Sequence, residues 1–504
     1  MRRRLLLPIM LVLALAGACT GTPTPSASGQ PDNTAMVLAE PVAPTTLDPL
    51  AGFAPNGASK IYDGLYAYQP DGTLQPVLAS APPAPSADGR EWTVPVRTGI
   101  SFSDGTPFGI ADVVAAYKSV LSTSSPLHTS YAMLTQVAQV GANRVRFTLA
   151  YPYAPFPDKL VLGIPEGHGP TGTGPYEVVS WSLGGRMVLA ANTRRAAVLG
   201  GPPKVKRVTV LVVPDDTDRV RMLRNGKLDG AAVSPAQATS FARSDAFTVF
   251  TDPSADLRAV QLPVHGPVTG DRAIRLALNE AVNRQALVNG PLRGTGTPAS
   301  TPMPAVLPEF VEPAATFTRD QEKARTALLA GGWVADTSGK RSRHGVTAAF
   351  TLDYPTGDSV DQQLATAFVN DAKSIGVTVT ARALSPAEVT AHSATDATLA
   401  GTGNPFDPDF DLYPLLSTGL AGAGSALTQA LTTGRRTLDP AQRAVAYRQF
   451  QKAYLAEPTM VCLVFVDHTY VMRDNWTGYV PITDSASQGV NWGPWWNLDQ
   501  WNPR

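Results

Sequence analysis

The chain has 504 residues, 43% hydrophobic and 16% charged, a composition that buries large cores and is long enough for two or three domains. Lys+Arg and Asp+Glu both number 41, so the net charge is +0; no basic field is available to hold nucleic acid, and no polybasic run reads as a membrane-surface patch. Glycine and proline, at 43 and 45 residues, predict many loops.

The first segment, MRRRLLLPIMLVLALAGACTGTPTPSASGQP, reads as an export signal and tether. Arg2, Arg3 and Arg4 make a basic start. The apolar run from Leu5 to Ala16 is shorter than the about 20 residues that a spanning helix needs. AGAC at 16–19 resembles the processing site of bacterial lipoproteins, with Ala16 where that site usually has Leu. The resemblance implies lipid on Cys19, a signal peptide over 1–18 and a disordered tether over 19–33. The other cysteine, Cys462, lies in the apolar run MVCLVFV and reads as a buried small hydrophobe. With Cys19 lipidated, no intramolecular disulfide forms.

From about Thr34 onward the chain alternates helical and strand patterns. DVVAAYKSVL (112–121) puts Val113, Val114, Tyr117 and Leu121 on one helix face. NRVRFTLA (143–150) alternates as a half-buried strand, and VKRVTVLVV (205–213) reads as another. The following DDTDRVRMLRNG predicts a helix closed near Gly226. Asp271 predicts the cap of a helix whose stripe is Ile274, Leu278, Ala281 and Val282. VDQQLATAFVNDAKSIGVTVTARAL reads as a helix, a stop at Gly376 and a strand, and Asp439-Pro440 opens a further helix. This alternation predicts α/β lobes with mixed sheets.

Catalytic and metal motifs are missing. There is no His-Glu-x-x-His, P-loop or Gly-x-Ser-x-Gly, and the His residues at 128, 168, 265, 344, 392 and 468 are scattered singly. The stretch NPFDPDFDLY (404–413) sets Asp407, Asp409 and Asp411 at alternate positions. A calcium loop starting at Asp407 needs Gly at its sixth position and Glu at its twelfth. Leu412 and Thr418 stand there, so that reading fails. Asp beside Pro is better suited to tying down its own turn.

Several segments, in order, resemble the extracellular solute-binding proteins of family 5, the peptide-, oligopeptide- and nickel-binding receptors of ABC importers. They are TTLDPL (45–50), IYDGLYAY (61–68), WTVPVRTGISFSDGTPFGIADVVAAY (92–117), GTGPYEVVSW (172–181), LRNGKLDGAAV (223–233), DRAIRLALNEAVNRQALV (271–288), DQEKARTALLAGGW (320–333) and FDPDFDLYPLLST (406–418). The resemblance covers the mature chain and implies a fold of the periplasmic-binding-protein type II kind, two lobes with mixed sheets and a hinge plus an extra domain. The first lobe would comprise 34–57, 166–262 and 473–504, the extra domain 58–165, and the second lobe 263–472. Solute would bind between the lobes and pass unchanged to an ABC permease and its ATPase, without cofactor or metal, from a monomer anchored through lipid on the extracytoplasmic face.

In peptide-binding members an Asp three residues before the D-P-D element holds the peptide amine, and a Trp lies three residues further back. Here those positions are Asn404 and Gly401. The resemblance therefore implies a roomier, uncharged pocket tip, which weakens the reading as a receptor for ordinary peptides and suits an oligosaccharide, a cell-wall fragment, a modified peptide or another bulky polar metabolite. Asp407 and Asp409 read mainly as loop supports and secondarily as ligand contacts; Phe406, Phe53 and Trp476 are candidates to stack on the ligand. The scattered His residues offer no nickel cluster. Two other functions are compatible with this reading: a sensor or adhesion lipoprotein on the same fold, and a secreted hydrolase using carboxylates assembled by the fold.

Overall fold

The computed structural model describes residues 34–167, 169–417, 425–485 and 493–504. The expected signal peptide, tether and Cys19 lie outside the described residues, as does His168. Among the described residues no helix is long and apolar enough to cross a membrane.

Two large sheets dominate. The first has seven strands. At its centre Ala35–Glu40 pairs in parallel with Arg207–Val212 on one side and Gly230–Val233 on the other. His468–Arg473 joins antiparallel to Gly230–Val233, and Phe247–Asp252 forms the edge beyond it. The second sheet has six strands. Its centre is Leu257–Gln261, flanked by Met460–Val466 and Ala397–Thr402. Met460–Val466 is buried at every position, which is why its sequence is apolar without alternation. Strands Ala349–Pro355 and Thr378–Leu384 pair in parallel, with helix Ser359–Ser374 as their crossover. Gly376 ends that crossover at φ +87°, where a Cβ would lie 2.3 Å from the Gly339 carbonyl oxygen.

A smaller four-stranded sheet is built from Ala84–Pro85, Glu91–Pro95, Arg144–Leu149 and Leu134–Val140. It packs with helix Ile110–Ser119 around Phe102, Tyr117, Phe147 and Phe156.

The lobe boundaries expected at 262/263 and 472/473 each follow, by a few residues, a point where the chain passes from one large sheet to the other. Leu257–Gln261 belongs to the second sheet and His468–Arg473 to the first. The chain therefore changes lobe between Asp252 and Leu257, and again at Asp467. Hydrogen-bonded pairing decides the matter. In sequence, the second crossing is marked only by Asp467-His468-Thr469, which interrupts the apolar run from Met460 to Met472.

Candidate ligand-binding cleft

A cavity of about 670 Å³ lies between the two large sheets. The first lobe contributes Glu40, Phe53, Asn56, Trp181 and Met187; the second contributes Arg258, Asp358 and Asp361. Glu40 ends the central strand of the first sheet. Asp358 caps helix Ser359–Ser374, its Oδ1 accepting from the backbone N–H groups of Val360 and Asp361. The helix N-terminus, with its partial positive charge, thus carries both carboxylates at the cleft.

Arg258 organises the second-lobe wall. Its Nη2 donates to Asp256 Oδ2 at 2.9 Å and its Nη1 to Asp361 Oδ1 at 2.8 Å, with Asp358 Oδ2 at 3.4 Å. Behind it, fully buried His468 bridges the two lobe crossings. Its Nε2 is 3.0 Å from Asp256 Oδ2 and its Nδ1 is 2.7 Å from Asp484 Oδ2. Burial alone would drive the proton off His468, but Asp484 and Asp256 outweigh it and lift the pKa to about 9. Burial likewise works against charge on Asp256, yet Arg258 and His468 hold it below the usual carboxylate range. Asp361 has only a share of Arg258, and burial pushes it up to about 7. Glu40 is pushed up to about 8 by burial, against the Trp495 Nε1–H that donates to its Oε1 at 2.8 Å.

This constellation of crossings, cavity and sheets is matched by known proteins. Residues 73–422 match the family described as bacterial extracellular solute-binding proteins, family 5 Middle. A relative, Protein XP55 of Streptomyces lividans, is 41% identical over 469 residues, covering 88% of this chain and 85% of that protein. The chain belongs to family 5 of the extracellular solute-binding proteins. Two solved structures share its fold. NikZ from Campylobacter jejuni in complex with Ni(L-His) has a TM-score of 0.85 at 22% identity, covering 93% of this chain and 99% of that one. The oligopeptide-binding protein AppA from Bacillus subtilis in complex with a nonapeptide has a TM-score of 0.80 at 20% identity, with the same coverage. As a family 5 member the chain is a substrate-binding receptor of the kind that serves ABC importers, acting outside the cytoplasm.

The structure distributes the expected site residues unevenly. Phe53 lines the cavity and meets Tyr62 edge-on. Asn404 is buried behind the wall. Its Oδ1 accepts from the backbone N–H groups of Phe406 and Asp407, and its Nδ2 donates to Asn56 Oδ1 at 3.3 Å. Gly401 is opposite Arg258 in the sheet register, and a Cβ there would lie 2.8 Å from Asp256 Oδ1 and 3.3 Å from Arg258 Cζ. Position 401 is thus bordered by an ion pair, and neither Gly401 nor Asn404 is among the residues that line the cavity. Asp407 pairs with Arg443 at 2.7 Å and Asp409 with Arg435 at 3.2 Å, both away from the cavity lining. Phe406 stacks on Tyr68. Trp476 is buried in the first-lobe core beside its strand partner Pro503 and does not line the cavity.

Sequence reading missed Glu40, Trp181, Arg258, Asp358 and Asp361. Only the last two carried a signal, as an Asp-x-x-Asp at a predicted helix start. Among the described residues Asp353, His392 and Asp396 are spaced closely enough to hold a metal. Arg382 already donates to both carboxylates, so a cation occupies that cluster's centre of charge.

Proposed function

We propose that this receptor captures a peptide or another bulky polar solute between its lobes and hands it chemically unchanged to a permease and its ATPase. It acts as a monomer held at the membrane by lipid on Cys19. The observation that carries this reading is the cavity, which is lined by both lobes, with the chain passing between the two large sheets, among the described residues, near 253–256 and 467. Its volume falls in the range of sites that enclose whole small molecules, and lobes joined by two short crossings can close on a solute. NikZ and AppA, on the same fold, hold a nickel–histidine complex and a nonapeptide, so the architecture accommodates solutes of very different size.

Native mass spectrometry of the protein purified from its own host tests the reading. The expected result is a bound small molecule that keeps its mass after prolonged incubation with fresh protein, and whose uptake disappears when the protein is deleted. A shortened product would make the protein a hydrolase, and uptake that survives deletion would make it a sensor or adhesion module. Cys19→Ser should release the protein from the membrane fraction or block its processing. Wild-type protein found free in the medium with an unmodified Cys19 would refute the anchor.

A further inference from the structure

The segment that carries the four-stranded sheet is fastened to the first lobe. Arg195 pairs with Asp63 at 2.9 Å, and Arg194 donates to the Ser103 carbonyl at 3.0 Å. Where the same segment meets the second lobe, charged groups face each other across a seam. Asp158 and Lys159 lie on one side, in the turn Phe156–Val161. Asp407, Asp409, Asp411, Arg435 and Arg443 lie on the other.

These charges do not balance. Arg443 is taken by Asp407 at 2.7 Å and Arg435 by Asp409 at 3.2 Å. Two carboxyls, Asp158 and Asp411, remain against one ammonium, Lys159. Lys159 makes no contact ion pair among the described residues; its Nζ sits 3.8 Å from the centroid of the Phe410 ring. The Oδ2 of Asp411 is closed off from water and has no hydrogen-bond partner among the described residues. Asp158 accepts from Tyr68 and faces the like charge of Asp407. A carboxyl shut in without a cation of its own is more stable as the neutral acid. Both residues are half-buried, so protons still reach them from solvent.

From this geometry we propose that the seam is a proton-operated latch: with Asp158 and Asp411 protonated, the four-stranded segment holds the second lobe, and losing those protons lets the lobe go. The proposal rests on the receptor reading and adds a control of its closure.

Closure and protonation are linked. In the closed seam, burial lifts Asp158 to about 7, with Asp407 adding to it against Tyr68, Arg443 and Lys159. Burial lifts Asp411 to about 6, against Lys159 alone. With the seam open to water, both titrate near the ordinary value of about 3.9. Closing therefore takes up protons. Their help is fully present below about pH 4 and is lost as pH rises through about 6 and about 7. Burial pushes Lys159 down to about 8, against Asp409, Asp158 and Asp407. It acts in the opposite sense, and only above that pH. The cleft is thus expected to hold its solute more tightly in acidic surroundings.

Hydrogen exchange read by mass spectrometry tests the latch with no solute added. The Ala154 N–H donates to the Arg435 carbonyl across the seam at 2.9 Å, and Pro152, Pro155 and Pro157 leave few other amides in its peptide. After correction for the intrinsic rate, protection of Ala154 is expected to fall at least about tenfold between about pH 5 and about pH 8. In Asp158→Asn combined with Asp411→Asn, the fall should shrink to within about twofold. A flat profile in the wild type, or a fall that the double variant keeps in full, overturns the latch. So does a fall accompanied by loss of the circular dichroism signal, which would be unfolding rather than opening. If the double variant fails to fold, the single variants decide: each is expected to keep less of the fall than the wild type, and an undiminished fall in both overturns the proposal. Because no solute enters the measurement, each of these failures leaves the receptor reading standing.

Discussion

Asp407 shows what the alternating aspartates do. Its carboxylate is 5% exposed and holds Arg443, itself 10% exposed, at 2.7 Å, while its Oδ1 accepts the backbone N–H of Asp409 at 2.8 Å. One oxygen therefore fixes the turn and neutralises a buried cation. Removing it strands Arg443 among Tyr447, Phe310 and the Gly434 carbonyl. Breaking a buried pair from one side typically costs about 3–5 kcal/mol, whereas replacing both partners with apolar groups costs far less. Asp407→Ala is expected to lower unfolding stability in urea by about that amount, and Asp407→Ala combined with Arg443→Met to recover part of the loss. A single-variant loss below about 1 kcal/mol would show that Arg443 finds another partner and that the turn stands without it. Asn404 serves the same turn from its other end, which is why its position could be read locally while its place one residue behind the cavity lining, against Asn56, could not.

Helix ends were the most legible elements. Asp271 accepts from Ala273 and Ile274, Asp439 accepts from Gln442, and Gly376 takes positive φ at the end of its crossover, each as its neighbours in sequence suggest. Such signals span three or four residues. Strand order and the hinge were not legible, because the contacts that decide them join distant segments. Arg258 meets Asp361 across 103 positions, and His468 meets Asp256 across 212. His468, one of the singly scattered histidines, is satisfied by two carboxylates at the lobe crossings. Its pKa has a sign that can be worked out. The folded value of about 9 exceeds the ordinary 6.5, so the contribution to stability is fully present below about 6.5 and is lost as pH rises through about 9. At neutral pH both ring nitrogens of His468 should carry protons. Nitrogen-resolved NMR of the imidazoles would check this, and a neutral His468 at pH 7 would mean that Asp256 or Asp484 holds the proton instead. Urea titrations should show stability falling between about pH 6.5 and 9 by up to roughly 3 kcal/mol from this group alone. Glu40 and Asp361, raised to about 8 and about 7, push in the same direction from lower pH.

At the scale of the whole molecule, the loop after Gly403 does more than support itself. The segment that carries the four-stranded sheet falls in sequence between strands of the first large sheet, yet residues in and around it contact the loop and helices that follow Ala397–Thr402 of the second. Tyr153 OH donates to Asp409 Oδ2 at 2.7 Å, and the Ala154 N–H donates to the Arg435 carbonyl at 2.9 Å. Lys159 Nζ lies 3.8 Å from the Phe410 ring centroid. Tyr68 stacks on Phe406 with centroids 3.5 Å apart and planes 3° from parallel. With Asn404 against Asn56, these contacts bridge the lobes. Swinging the second lobe away must break them, so they bias the empty protein towards the closed arrangement. The Tyr153 hydrogen bond to a buried carboxylate and the aromatic stack are together worth about 2–4 kcal/mol. Losing both changes the closed-to-open ratio by roughly 30- to 1000-fold. Tyr153→Phe combined with Phe406→Ala is therefore expected to open the unliganded protein, measured by small-angle scattering as a larger radius of gyration. The same variant should bind its solute more weakly, because closing must then be driven by the solute alone. If the radius stays fixed while thermal stability drops, these contacts are a static seam between domains, and the second lobe swings, if it does, about some other line.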